Sequence, residues 1–77
     1  MALEIQVELL GALRQEAGFA SRRLSLPDGA KVADAIAACG LADRVDLWVL
    51  QGGQKVARDA LLLPGEGLVF FQPVGGG

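Results

Sequence analysis

An aliphatic residue stands at every second place from Leu3 to Leu9, and at Val32 the apolar spacing changes to three and four. The first pattern suits a strand with one covered face. The second, Val32, Ala35, Ile36 and Cys39 at i, i+3, i+4 and i+7, suits one stripe of a short helix. A chain carrying both patterns must lay helix against sheet, because neither apolar face is stable in water. With 77 residues there is room for one core. A domain of that size buries only about 60–65% of its unfolded surface, so each apolar position matters. Its 52% hydrophobic content is ample for the purpose.

The remaining elements are marked by punctuation. Gly11 and Gly18 bracket residues 12–17, which suit one helical turn within a loop. Residues 22–26 alternate again and run into Pro27-Asp28-Gly29, a turn, so the first two strands read as an N-terminal hairpin. Alanines at 33, 37 and 38 favour the helix, and Gly40 is placed just past its end. Its start is weaker, since Lys31 occupies the usual place of a capping hydroxyl or carboxylate. A connection at 41–46 precedes a strand at 47–51, a Gly52-Gly53 turn and a short partner strand at 54–56. Residues 59–62 suggest a helical turn capped by Asp59, 64–67 a turn, and 68–72 a last strand. The predicted order is ββαβββ, an α+β arrangement with one helix across one face of a mixed sheet. That is the β-grasp, or ubiquitin-like, layout. Residues 1–77 are read as a single domain, with 73–77 as its flexible C-terminal tail.

Composition narrows the function. Histidine and tyrosine are absent and cysteine occurs once, so a zinc cage is excluded and the usual general base is missing. Gly52-Gly53 lacks the lysine and hydroxyl residue that complete a phosphate loop. A net charge of −2 gives no basic footprint for nucleic acid. No apolar run is long enough to span a membrane, and the opening residues do not resemble an export leader. A cytoplasmic location is therefore expected, in keeping with a lone thiol. Cys39 completes the helix stripe and reads as a buried structural residue. Trp48 reads as packing and Arg22-Arg23 as a solvated face. Chemistry by this chain's own side chains is not expected.

Four segments together resemble the small sulfur carriers of molybdopterin and thiamine biosynthesis, the MoaD/ThiS family. They are residues 10–18, residues 26–34, residues 59–68, and the tail Phe70-Phe71-Gln72-Pro73-Val74-Gly75-Gly76-Gly77. The tail is closest to that of the molybdopterin synthase small subunit. Three positions depart from the family pattern: Gln72 replaces the first proline of a common pair, Gly75 replaces another small residue, and Gln51 replaces an apolar residue. The resemblance implies that Gly77, with Gly76 before it, carries the chemistry through its carboxylate. It also implies that Val69, Phe71, Pro73, Val74 and Gly75 meet partner proteins. Those partners are a ubiquitin-activating-enzyme-like adenylyltransferase, which uses ATP, and the large molybdopterin synthase subunit. No cofactor or metal is expected on this chain itself. The alternatives are a carrier for thiamine or another cofactor pathway, or a ubiquitin-like protein modifier.

Physical chemistry agrees with a terminal diglycine in that role. A C-terminal carboxylate, with an ordinary pKa of about 3.5, is an anion at neutral pH and a poor electrophile. Adenylation converts it into an acyl group with a good leaving group, open to a sulfur nucleophile. Glycines let such a tail thread a narrow partner site and accept unusual backbone angles there. In the last strand both parities are apolar. The resemblance implies that Leu68 and Phe70 lie beneath the helix, which leaves Val69 and Phe71 outward and Phe71 substantially exposed as a docking anchor.

Overall fold

The computed structural model describes residues 2–44 and 46–73. β1 (Ala2–Leu9) leads through a short helix, α1 (Leu13–Ala17), to β2 (Ser21–Pro27). Then come α2 (Val32–Ala38), β3 (Trp48–Gln51), β4 (Gln54–Val56) and β5 (Leu68–Phe71). The five strands form one mixed sheet in the order β2-β1-β5-β3-β4. β1 pairs antiparallel with β2 and parallel with β5, while β3 is antiparallel to both β5 and β4. This is the expected β-grasp arrangement.

Alternation in β1 places Leu3, Ile5, Val7 and Leu9 on the buried face and Ala2, Glu4, Gln6 and Glu8 in solvent. Val32, Ala35, Ile36 and Cys39 of the helix stripe are all buried in the same core, together with Leu24, Val49, Leu68 and Phe70. Gly40 takes a φ of 77° just past the helix, a conformation glycine reaches without cost. Gly52 and Gly53, both with positive φ, make the tight β3–β4 hairpin. Cys39 is a free buried thiol, and burial raises its pKa against a smaller opposing pull from the Arg22 guanidinium.

One expected element differs. Residues 59–62 do not form a helical turn; a turn closed from Ala60 N–H to the Ala57 carbonyl leads into an extended segment bridged between Lys31 and Leu61. The carbonyls of Ala60 and Arg58 accept from the N–H groups of Val32 and Ala33, at 2.9 and 2.8 Å. In return, Leu62 N–H donates to the Ala30 carbonyl at 3.0 Å. The segment is therefore extended because it satisfies the free donors at the start of α2. This also explains how α2 begins at lysine. Lys31 caps nothing with its side chain; instead its own N–H donates to Asp34 at 2.8 Å, half of a capping box.

Gln51, the departure on β3, faces the core and is 6% exposed. Its amide bonds to a single loop twice, Nε2 donating to the Leu61 carbonyl at 3.3 Å and Oε1 accepting from Leu63 N–H at 3.1 Å. A polar side chain there holds the 61–63 backbone against the sheet.

Two substitutions test this packing. Ile36→Ala should cost about 2–4 kcal/mol in urea unfolding, since it opens a cavity under the helix; a loss below about 0.5 kcal/mol would show that the stripe is not the core face. Gln51→Leu, although more apolar, should cost about 1–3 kcal/mol because it removes both hydrogen bonds that hold the 61–63 backbone to β3. A stabilised Gln51→Leu protein would show that water replaces those bonds freely.

Candidate functional site

β5 carries the chain from the core to the tail. Leu68 and Phe70 point under the helix and are 1% and 0% exposed, whereas Val69 and Phe71 point to the uncovered face. Strand register extends that face. Trp48 lies opposite Phe71, and Leu50 opposite Val69 and, on the far side, Lys55. The result is an apolar strip of Trp48, Leu50, Val69 and Phe71 over β3 and β5. Glu8 lies beside it on β1, paired with Val69.

Phe71 is half-buried rather than substantially exposed. Its ring packs against Trp48, with centroids 5.8 Å apart and planes inclined by 50°. Lys55 Nζ sits 3.6 Å from the centroid of the Trp48 ring, a cation–π contact that covers part of its surface. Parity set the direction of Phe71, as expected, and its cross-strand aromatic neighbour reduced its exposure. Trp48, read from sequence as packing alone, is 39% exposed and is the most accessible member of the strip.

At the end of β5 the tail root lies in a groove formed by Leu10, Gly11 and Ala12 on one side and Asp46, Phe71, Gln72 and Pro73 on the other. Leu10 N–H donates to the Phe70 carbonyl at 3.1 Å, continuing the parallel pairing one step past β1. Gln72 Nε2 donates to Asp46 Oδ2 at 2.8 Å. Of the expected partner-binding residues, Val69 and Phe71 thus share the outer face and Pro73 lies in the adjoining groove. Val74 and Gly75 lie outside the described residues, as do Gly76 and Gly77. Arg22 is exposed, as expected, and its guanidinium lies 3.9 Å above the centre of the Phe19 ring.

Sequence reasoning did not find Asp46, which joins the groove through the 41–47 connection and carries no motif. Among the described residues, no cluster of three or more His, Cys, Asp or Glu side chains is placed to hold a metal ion. Among them, too, no helix is long and apolar enough to cross a membrane. Among the described residues, the arrangement is an uncovered apolar strip beside a hydrogen-bonded end of β5.

Phe70→Ala should destabilise the fold by about 3–5 kcal/mol, as expected for emptying a fully buried aromatic site. Phe71→Ala should cost about 1 kcal/mol, chiefly the lost contact with Trp48. Chemical unfolding of the two variants measures both, and a larger loss for Phe71→Ala would reverse the assignment of the two faces.

No protein-family model matches the sequence, and no curated protein matches it either. Solved structures do. A Pyrococcus furiosus protein assigned as molybdopterin converting factor, subunit 1, superposes with a TM-score of 0.80 at 24% identity, over 94% of this chain and 99% of its own. Small archaeal modifier protein 1 of Haloferax volcanii gives 0.81 at 24% identity, over 94% and 99%. The protein of that name from Methanosarcina acetivorans gives 0.76 at 22% identity, over 100% and 99%. Strand order, helix placement and these superpositions agree that the chain has the β-grasp, ubiquitin-like fold shared by these small archaeal proteins.

Proposed function

We propose that this chain is a sulfur carrier of the MoaD/ThiS family, whose reacting group is the carboxylate of Gly77. The observation that carries the reading is the join between a central last strand and a Gly-Gly-ended tail, beside an uncovered apolar strip. A tail needs a docking surface to offset the entropy of ordering it, and Trp48, Leu50, Val69 and Phe71 provide one next to its root. The similarity in fold to a protein assigned as molybdopterin converting factor, subunit 1, supports the molybdopterin route, in which this chain would be the small subunit of the synthase.

In the first step, a carboxylate oxygen of Gly77 attacks the α-phosphorus of ATP on an adenylating partner. A carboxyl–phosphate anhydride forms and pyrophosphate leaves. A hydrosulfide-level nucleophile then attacks the acyl carbon, the carbon–oxygen bond to AMP breaks, and a thiocarboxylate remains. Bound next in the large synthase subunit, the thiocarboxylate sulfur attacks a carbon of a pterin precursor and displaces an oxygen leaving group, and water then cleaves the acyl–sulfur bond, restoring the Gly77 carboxylate. This chain supplies the tail and the docking strip, while the partners supply ATP and the catalytic side chains. Such a role belongs in the cytoplasm.

A second reading is favoured equally by the fold similarity to small archaeal modifier proteins: a protein modifier joined to lysines through Gly77. Both readings begin with the same adenylate and differ in the nucleophile that attacks it.

Intact mass spectrometry of the protein from its own cells should reveal a species about 16 mass units heavier, which is the weight difference between sulfur and oxygen. High-mass lysine conjugates would instead select the modifier. Deleting Gly77, or appending one residue to it, should abolish loading while leaving the melting temperature unchanged, because the buried core is built from residues between Leu3 and Phe70. Continued sulfur loading by the truncated chain would eliminate the carrier mechanism.

A further inference from the structure

The tail root is held by more than the sheet. Gln72, the first residue after β5, donates through Nε2 to Asp46 Oδ2 at 2.8 Å. Asp46 in turn belongs to a braced connection. Arg44 forms an ion pair with Glu16 of α1, and the Arg58 guanidinium donates to the Arg44 carbonyl. Arg44 N–H also closes a turn onto the Leu41 carbonyl at 3.0 Å. Thus α1 and the 57–60 turn both hold Arg44, two positions before the acceptor. On the other side, Pro73 has a fixed φ and biases Gln72 toward extended backbone. Leu10, Gly11 and Ala12 wall the groove opposite Asp46.

An exposed hydrogen bond of this kind adds little to folding, because water competes for both partners. Its location suggests a different use. Gln72 is where the chain stops being paired in the sheet, so a tether there sets the direction of the residues beyond it. We propose that Asp46 and Gln72 are positioning residues, fixing the line along which the tail leaves β5 so that less remains to be ordered when Gly77 is presented for adenylation. This rests on the carrier reading of the chain. Neither residue touches the reacting atoms.

The test is ATP–pyrophosphate exchange with purified adenylating enzyme of the source organism, using wild type, Asp46→Ala, Gln72→Ala, the double variant and Asp46→Asn. Releasing one residue of the root should raise KM for this protein about three- to tenfold, with kcat and the melting temperature unchanged. The double variant should be no worse than either single one, because both remove the same bond. Asp46→Asn keeps an acceptor oxygen and should behave as wild type. An unchanged KM for Asp46→Ala would overturn the proposal, as would independent, multiplying effects of the two alanines. So would an Asp46→Asn protein as impaired as Asp46→Ala, which would assign the effect to charge recognised by the enzyme. Exchange by wild type with all variants equally active defeats the positioning role alone. A wild-type chain that supports no exchange defeats the carrier reading and the positioning role with it.

Discussion

The parallel register that sets Leu9 against Phe70 makes the last strand of the chain a central strand of the sheet. A parallel pair cannot be joined by a tight turn, so everything from β2 to β4 serves as the connection between β1 and β5. β5 lies in the sheet between β1 and β3, and its two inward residues, Leu68 and Phe70, are buried beneath α2. Folding therefore depends on contacts between the two ends of the sequence. The same register decides where the tail emerges. It leaves beside the end of β1, between Leu10 and the 41–47 connection, and not from a frayed edge.

Much of this was legible because it rests on local patterns. Period-two alternation located β1 and its buried face, a helical stripe located α2, and parity put Phe70 and Phe71 on opposite faces, with the family resemblance choosing which was inward. What escaped was polar and non-local. Residues 59–62 have the composition of a helical turn, but the donors at the start of α2 lie nearly thirty positions earlier, and their pull on the Arg58 and Ala60 carbonyls cannot be seen in sequence. Lys31 looked like a poor cap for the same reason. Gln51 looked like a misplaced polar residue until the 61–63 backbone was seen to use both ends of its amide. At the tail root, Asp46 and Gln72 are 26 positions apart and share no motif. Of Val74 to Gly77, the reading remains one of sequence and chemistry.

These polar contacts have a common logic. A sheet with one helix leaves several backbone groups at element ends without partners, and a small chain has few spare residues with which to cover them. The solution here is to make one loop serve two elements: residues 58–63 supply acceptors to α2 and receive the amide of Gln51 from β3. A mutation in that loop therefore reaches the helix and the sheet together.

Trp48 has a consequence of another kind. It is the chain's single tryptophan, and there is no tyrosine. Emission excited at the red edge of the ultraviolet band, where phenylalanine does not absorb, thus originates from one ring on the outer strip, partly shielded by Lys55 and Phe71. The fluorophore is attached to the surface rather than to the core. Its spectrum reports what lies over β3 and β5, so a covering protein shifts it toward the blue without any label. The fold carries its own optical probe, on the face of the sheet that no helix covers.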